Sequence, residues 1–507
     1  MNAKLTVDRN NVIGNIDKRI YGSFVEHMGR CVYGGLYEPD HPTADEDGFR
    51  TDVMDFVREC QISVVRYPGG NYVSNYRWED GVGPAELRPK RLDLAWRAVE
   101  PNTFGTNEFM KWCKKTGVQP MMAVNLGTRG IEAAADLLEY CNHPSGSALS
   151  ELRIAHGAKE PHNVRLWCLG NEMDGVWQTG HKTAEEYGRL AYEVGKTMKK
   201  YDPTLELVSC GSSAPSMPTF PEWEQITLMH TYDVADYVSL HQYFSNRDND
   251  TPSFLASSVA TDRFIQTVIG VCDEVKAKKR GTKDINISFD EWNCWYHNAE
   301  ADNRIMGHDP WQIAPPLLED NFNVEDAVVV GNTLMTFLKH ADRVKIACQA
   351  QLVNVIGSIF TQTGGPAIRQ TIFYPIKLTA QYGTGKSLRV DTECEKYDSR
   401  LYSDVPYLDA AATWNEDDEE AALFVINRSE TEGINLSVRL EDFEEYRPIE
   451  HIYIWDEDTK ATNTISNPNR ISPRRQTLHG SDGDLFNVEL KPASWNVIRL
   501  KRNTSGK

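Results

Sequence analysis

The chain has 507 residues, of which 40% are hydrophobic and 25% charged, a composition that excludes a collagen-like or globally disordered protein. Its 73 acidic and 54 basic side chains leave a formal net charge of −19. Because so acidic a surface repels phosphate backbones and anionic lipids, we expect no nucleic-acid or membrane partner, whereas neutral substrates such as sugars remain open.

Over the first 385 residues, short apolar runs typical of strands alternate with longer amphipathic segments. The predicted strands are residues 21–26, 64–68, 120–125, 165–170, 205–211, 237–241, 285–290 and 344–349. Apolar residues that recur every three or four positions predict helices at 49–60, 106–116, 131–141, 184–201, 260–279 and 324–339. This alternation indicates an α/β fold, and eight strands favour a (β/α)8 TIM barrel over an open doubly wound sheet.

Beyond residue 385 the period of the apolar pattern changes to two. Strands are predicted at 422–427, 434–440, 451–455, 485–490 and 495–500, which indicates a C-terminal all-β sandwich resembling a jelly roll. Residues 3–9 also alternate, so an N-terminal strand is expected to join that sandwich. The predicted domains are therefore an N-terminal strand at 1–18, a catalytic barrel at 19–385 and a β-sandwich at 386–507.

The ten cysteines are spaced too widely for the CxxC pairs of redox or zinc sites, and most lie in apolar runs. We therefore expect buried free thiols. The chain has no apolar stretch of signal-peptide length at its start, and no window of 18 apolar residues. Together these features predict a cytoplasmic protein.

Polar side chains cluster where the predicted barrel strands end. In a TIM barrel the carboxyl ends of the strands meet at one mouth, which carries the chemistry. Burying a carboxylate costs several kcal/mol of desolvation free energy unless the charge is paired. A purely structural role therefore does not explain three glutamates at the barrel mouth. The residues at these strand ends are Glu26, Arg66, Asn71, Asn125, Asn171, Glu172, His241, Tyr243, Glu291 and Gln351.

Two of these acids have the placement that glycoside hydrolysis needs. Glu172 and Glu291 end the fourth and seventh strands and should face each other across the mouth. One carboxylic acid must protonate the leaving oxygen while one carboxylate attacks or activates water. Repulsion between the two is expected to keep one protonated and the other ionised. Asn171 can then hydrogen-bond a sugar hydroxyl, and Tyr243 can donate to the nucleophile.

Taken singly, each residue also has a structural interpretation. The two glutamates could be rim acids in salt bridges, and Glu26 could pair with Arg30. Asn71 follows two glycines and could cap a turn. His241 could be a satisfied core histidine. Most of the twelve tryptophans must be core residues, although a sugar site also needs apolar planes.

Longer sequence motifs help to decide between the structural and the functional interpretations, because they resemble the motifs of the family 51 α-L-arabinofuranosidases. They occur in the family's order, and the resemblance covers essentially the whole chain, including the β-sandwich tail. The strings are GSFVEH (22–27), RYPGGN (66–71), WRAVEPN (96–102), LGNEMDG (169–175), SLHQY (239–243), DEWNCW (290–295) and AQLVN (350–354).

This resemblance implies a role for each residue. Glu172 is expected to be the general acid/base and Glu291 the nucleophile. Arg66 and His241 are expected to support the two glutamates. Trp295 would wall the arabinose subsite and Trp96 would help to form the leaving-group side. The expected substrate-binding residues are Glu26, Asn71, Asn171, Tyr243, Trp295, Gln351 and Trp96.

The resemblance also implies an exo-acting, retaining α-L-arabinofuranosidase that needs no metal or cofactor. It would act on terminal arabinofuranosyl residues of arabinan, arabinoxylan and related oligosaccharides, as a homo-oligomer that is commonly a hexamer. Two alternatives stay open: another glycosidase of the same clan, such as an endo-β-glucanase, and a non-catalytic carbohydrate-binding protein on an inactive barrel.

Overall fold

The computed structural model describes residues 1–478 and 485–503. Its strands in these ranges are β1 (Asn2–Asn15), β2 (Gly22–Phe24), β3 (Val64–Tyr67), β4 (Arg91–Asp93), β5 (Ala98–Glu100), β6 (Gln119–Val124), β7 (Leu166–Leu169), β8 (Glu206–Ser209), β9 (Tyr237–Phe244), β10 (Asn286–Cys294), β11 (Val344–Gln349), β12 (Ile359–Thr361), β13 (Ala367–Arg369), β14 (Lys386–Glu393), β15 (Lys396–Tyr397), β16 (Val405–Pro406), β17 (Leu408–Asn415), β18 (Glu420–Asn427), β19 (Ile434–Glu441), β20 (Tyr446–Ile454), β21 (Arg474–Thr477), β22 (Leu485–Leu490) and β23 (Ser494–Arg502). Its α-helices are α1 (Thr51–Glu59), α2 (Thr106–Thr116), α3 (Ile131–Asn142), α4 (Ala148–Ala155), α5 (Ala184–Tyr201), α6 (Glu222–Thr231), α7 (Thr251–Leu255), α8 (Ser258–Lys279), α9 (Ala299–His308), α10 (Val324–Lys339) and α11 (Phe373–Tyr382).

Eight parallel strands close the barrel in the order β2-β3-β6-β7-β8-β9-β10-β11. The last strand returns to the first, where Cys348 and Gln349 pair with Gly22 and Ser23. All eight predicted barrel strands are present, so the predicted (β/α)8 fold is confirmed. A closed parallel barrel brings the carboxyl ends of its strands to one mouth, which is what positions the site described below.

Local signals explain where several helices begin and end. The Thr183 hydroxyl accepts from the Glu186 amide while the Glu186 side chain accepts from the Thr183 amide, which caps α5. Helix α2 ends at Gly117, whose φ of 79° lies in the left-handed region that glycine adopts without strain. Helix α6 was not predicted, because its buried face includes Glu224, Thr227 and Thr231 and so lacks an apolar period.

The second unit is a nine-stranded sheet in the order β21-β20-β23-β18-β17-β14-β1-β19-β22, which confirms the predicted C-terminal all-β region. Strand β1 pairs antiparallel with β14 and parallel with β19. The N-terminal strand is therefore part of this sheet, as expected. Leu423 and Val425 of β18 join the sheet's own core, whereas Phe424 and Ile426 join the core shared with the barrel. Both faces of β18 are therefore buried.

Helix α10 meets β23 so closely that one position in the contact has no room for a side chain. A Cβ on Gly331 would lie 2.3 Å from two ring atoms of Trp495. Gly331→Ala should therefore destabilise the fold by about 1–3 kcal/mol through overpacking, and lower the melting temperature measured by calorimetry. Gly270→Ala in α8 is the matched control, since its Cβ meets nothing within 4 Å. It should be neutral or stabilising, and equal melting temperatures for the two variants would contradict this account.

The cysteines behave as expected for structural thiols. All ten are free, and nine of them are buried. Burial raises the pKa of Cys31 to about 12, so this thiol stays protonated at neutral pH. Among the described residues, no helix is long and apolar enough to cross a membrane.

Candidate active site

Glu172 leaves the barrel just beyond β7 through an unusual turn. Gly170 has a φ of 90°, and Glu172 itself has a φ of 44°, which a residue with a side chain adopts only at a cost of order 1–3 kcal/mol. The Glu172 carbonyl accepts a 2.9 Å hydrogen bond from the Gly175 amide, which stabilises the turn. The turn places the Glu172 carboxylate beside His241 at the barrel mouth.

Glu291 lies inside β10, next to another acid. Successive side chains of a regular strand point to opposite faces, yet Asp290 and Glu291 both contact groups within the barrel. The register of β10 shifts against both of its neighbours at this point, between Phe289 and Trp292 on one side and Ser288 and Glu291 on the other. This bulge gives the two consecutive acids access to the same interior.

His241 bridges the fourth and seventh strands. Its Nδ1 lies 2.9 Å from a Glu172 oxygen and 3.7 Å from a Glu291 oxygen, and its Nε2 lies 2.9 Å from Asp290. Carboxylate oxygens of Glu172 and Glu291 lie within 4.8 Å of each other. Retaining glycosidases hold their two carboxyl groups about 5–5.5 Å apart, whereas inverting enzymes leave room for a water.

Arg66 is the second buried cation of the mouth, with an exposed fraction of 1%. Its Nη1 donates to Glu291 at 2.7 Å and its Nη2 donates to Asn171 at 2.5 Å. The Tyr243 hydroxyl donates to the other Glu291 oxygen at 2.8 Å. Both oxygens of Glu291 therefore accept a hydrogen bond, which holds the carboxylate in one orientation.

The pKa values follow from this mixture of burial and charge. Burial raises the pKa of Glu291, and Glu172 acts in the same direction, whereas the His241 and Arg66 cations and the Tyr243 hydroxyl lower it. Burial alone would lower the pKa of His241, but its three carboxylate neighbours raise it to about 10. His241 is thus an imidazolium at neutral pH, and both ring nitrogens donate protons. This cation between the two glutamates offsets the repulsion that the carboxylate pair alone would have.

Glu26 forms a second anchor on the opposite side of the mouth. Its carboxylate accepts from the Tyr72 amide at 2.9 Å and from the Trp96 indole at 3.1 Å. Gln351 contributes a longer bond of 3.3 Å. Burial raises the pKa of Glu26 to about 8, with the Glu291 charge acting the same way. Glu26 can therefore donate as well as accept a hydrogen bond near neutral pH.

The floor between these groups is kept open by Gly70. A Cβ there would lie 3.0 Å from Glu291, 3.4 Å from Glu26 and 3.5 Å from the Asn171 amide nitrogen. That Asn171 nitrogen and the Trp295 indole nitrogen are buried, and neither has a hydrogen-bond partner within the described part of the chain. Buried unpaired donors of this kind fit a ligand that brings its own acceptor oxygens.

The structure brings ten of the eleven residues given a role from the sequence into two groups of contacts, one around Glu291 and one around Glu26, that lie on either side of Gly70. Tyr243 packs edge-on against Trp295 at 5.4 Å, and the remaining contacts are those given above. Asn71 adjoins Gly70 and precedes the short 3-10 helix Tyr72–Asn75, but its role as a ligand stays a prediction. Arg30 pairs with Glu319 at 2.6 Å, which leaves Glu26 to the mouth.

Sequence reasoning assigned no role to two residues that belong to this site. Asp290 contacts His241, which in turn contacts Glu172. Its place next to Glu291 in the sequence was visible, but only the bulge turns both acids inward. Trp177 donates from its indole nitrogen to Glu172 at 2.7 Å. It stands five residues beyond Glu172 in a loop, and no periodic pattern marks it.

The chain is similar to known proteins along most of its length. The sequence matches the α-L-arabinofuranosidase 1 domain over residues 56–253 and the α-L-arabinofuranosidase C-terminal domain over residues 290–494. A Halalkalibacterium halodurans protein named intracellular exo-α-(1→5)-L-arabinofuranosidase is 56% identical over 500 residues, 99% of each chain. A Bifidobacterium longum protein named exo-α-(1→6)-L-arabinofuranosidase is 47% identical and covers 98% of this chain and 97% of its own.

One solved structure extends the similarity to the fold. A family 51 α-L-arabinofuranosidase of Bifidobacterium longum superposes with a TM-score of 0.93 at 42% identity, and covers 98% of this chain and 99% of that one. Family models over more than half of the sequence, full-length relatives and this shared architecture lead to one assignment. The chain belongs to the family 51 α-L-arabinofuranosidases.

Proposed function

We propose that this protein removes terminal α-L-arabinofuranosyl residues from the non-reducing ends of arabinose-containing oligosaccharides, with retention of anomeric configuration. The observation that carries the proposal is the pair of carboxylates within 4.8 Å, each held by its own cationic or hydroxyl donors. That spacing suits direct attack by a carboxylate and leaves no room for an intervening water.

In the first step Glu291 attacks the anomeric carbon and forms a glycosyl ester. Its orientation by Arg66 and Tyr243 supports this role, because both oxygens are held before the substrate arrives. Glu172 gives a proton to the departing glycosidic oxygen, so that the leaving group departs as an alcohol.

In the second step Glu172 acts as the base. It takes a proton from a water molecule, which attacks the anomeric carbon and breaks the ester to Glu291. Arabinose leaves with its original configuration after two inversions. His241 Nδ1 lies 2.9 Å from Glu172 Oε1, and this contact holds the Glu172 side chain in place for the step.

The furanose ring is proposed to lie over Gly70, among Glu26, Asn171 and Trp295. Glu26 and Asn171 offer hydrogen-bonding groups, and the Trp295 ring offers an apolar plane for the C–H face of a sugar. Asn71 and Gln351 complete the hydroxyl contacts in this proposal. Trp96, at the turn between β4 and β5, stands where a leaving group would pass.

The proposal extends to the glycosidic linkage that is cleaved, the cellular location of the enzyme and its oligomeric state. The 56% identical relative is named for 1→5 bonds and an intracellular location, and the 47% identical one for 1→6 bonds. We propose that 1→5-linked oligosaccharides are the main substrates here and that the enzyme works inside the cell. A homo-oligomer, a hexamer by family resemblance, also stays a prediction.

The proposed domain division places the catalytic unit at residues 19–385. It is supported by the first barrel strand at Gly22–Phe24 and by α11, which ends at Tyr382. The proposed β unit combines 1–18 with 386–507, and the pairing of β1 with β14 supports that combination. Residues 479–484 and 504–507 of this unit lie outside the described part of the chain.

One assay tests the reaction and its stereochemistry together. Nitrophenyl α-L-arabinofuranoside is incubated with the protein, and proton NMR follows the anomeric signal of the first sugar released. We expect rapid release of arabinose whose first-formed anomer is α. Initial release of the β anomer would contradict the double displacement, and turnover of a β-glucan instead would favour an endo-acting glucanase of the same clan.

A further inference from the structure

A short hairpin presents the indole of Trp96 to Glu26. Strands β4 and β5 have three residues each, and Trp96 lies in the turn between them. Leu92 and Leu94 of this hairpin are 54% and 56% exposed, so little apolar burial fixes it to the barrel. A two-stranded hairpin by itself is at best marginally stable in water. The position of Trp96 therefore depends on the contacts that the hairpin makes with the rest of the protein.

Glu100, the last residue of β5, makes such a contact from a buried position. Its side chain accepts hydrogen bonds from the Tyr33 hydroxyl, from the Asn102 amide at 2.6 Å and from Nδ1 of His27 at 2.9 Å. Of these three donors, His27 is the one that adjoins Glu26 in the chain. The end of the hairpin is therefore tied to the segment that carries Glu26.

His27 uses its second ring nitrogen to hold the barrel. Nε2 lies 2.7 Å from the Tyr67 hydroxyl on β3, and the ring stacks on Tyr72 with 4.9 Å between the centroids. The Tyr72 amide in turn donates to Glu26 at 2.9 Å. Both ring nitrogens are satisfied when Nδ1 donates to Glu100 and Nε2 accepts from Tyr67.

Building on the proposed function, we propose that His27 and Glu100 are positioning residues that hold the hairpin so that Trp96 meets the sugar beyond the cleaved bond. The hydrogen bond between them fixes the end of β5. The Trp96 indole nitrogen is thereby kept 3.1 Å from the Glu26 carboxylate, where the ring borders the path of the leaving group. Neither His27 nor Glu100 touches the substrate in this proposal, because both act through Trp96.

The test uses two variants of His27 that each keep one of its polar contacts. The side-chain amide in His27→Asn can replace Nδ1 and donate to Glu100, whereas the longer side chain in His27→Gln reaches the position of Nε2 beside Tyr67. Both variants lose the ring and its stacking, so they are matched in that respect. The substrates are α-1,5-arabinobiose and methyl α-L-arabinofuranoside. Both leaving groups need a proton, but only the first brings a sugar to Trp96.

The measured quantity is the ratio of kcat/KM for arabinobiose to kcat/KM for the methyl glycoside. His27→Gln should lower this ratio by about ten-fold or more, because misplacing a binding group by about 1 Å can cost about 10²-fold in rate. His27→Asn should keep the ratio close to that of the wild-type protein. Glu100→Met removes the acceptor instead of the donor and should lower the ratio as His27→Gln does.

A double-mutant cycle separates positioning from a general loss of structure. Trp96→Ala should itself lower the ratio, and adding His27→Gln to it should lower the ratio no further, because the hairpin then has no indole to place. Backbone hydrogen bonds from the hairpin to residues 311–312 are common to all the variants and cancel in the comparison. Calorimetry gives the melting temperature of each variant.

The outcomes separate this inference from the proposed function. Wild-type protein that turns over neither substrate would overturn both. Normal wild-type turnover with equal ratios in His27→Asn and His27→Gln would overturn the positioning role alone, as would additive losses in the cycle. A lower melting temperature with an unchanged ratio in His27→Gln and Glu100→Met would mean that the two residues serve only stability.

Discussion

Glu291→Ala should abolish turnover, with kcat reduced by about 10⁴-fold or more, while the protein remains folded. Alanine offers no atom to attack the anomeric carbon, so the glycosyl ester cannot form. The measurement is release of nitrophenol from the aryl arabinofuranoside at saturating substrate. Loss of this magnitude is expected for every leaving group, because the glycosyl ester needs the Glu291 oxygen whichever group departs.

Folding should survive, because the buried partners of Glu291 keep other contacts. Arg66 retains Asn171 at 2.5 Å and has Asp290 at 4.0 Å. Removing an acid whose pKa is raised by burial also removes a desolvation cost. Glu291→Gln preserves the shape and should be equally inactive, and Glu222→Ala, an exposed acid on α6, should be fully active. Residual activity above one-hundredth in Glu291→Ala would assign the nucleophile elsewhere.

The loss of activity in Glu172→Ala should be larger for a leaving group that must be protonated than for one that departs as an anion. General acid catalysis contributes about 10²–10⁴-fold, so arabinobiose hydrolysis should fall by that factor. A dinitrophenol leaves without a proton, so formation of the glycosyl ester from its arabinofuranoside should be nearly unaffected. The comparison is kcat/KM for the two substrates, because this ratio reports the first step.

The same variant should respond to a small external nucleophile. The missing carboxylate leaves space beside the ester, and azide needs no base to attack there. Added azide should therefore raise kcat on the dinitrophenyl substrate and yield an arabinosyl azide. Equal losses on both substrates, with no response to azide, would mean that Glu172 is not the acid/base.

The barrel was predictable because its signals are local. Each strand is a short apolar run, and helices such as α2, α5 and α10 carry their period and their caps within their own residues. The elements that escaped prediction lack such signals. Strand β17 reads LDAAATWN, where three alanines disfavour a strand, and it forms because β14 and β18 pair with it on both sides.

The amino-acid sequence by itself determined which side chains stand at the strand ends, because the position of a residue after a strand follows from local pattern. It could not determine which of them would touch. The bulge in β10 turns both Asp290 and Glu291 inward, and the fold-back of the 175–177 turn brings Trp177 to Glu172. Those contacts, and the raised pKa of His241 among three carboxylates, depend on distances between segments far apart in the chain. Only barrel closure sets such distances.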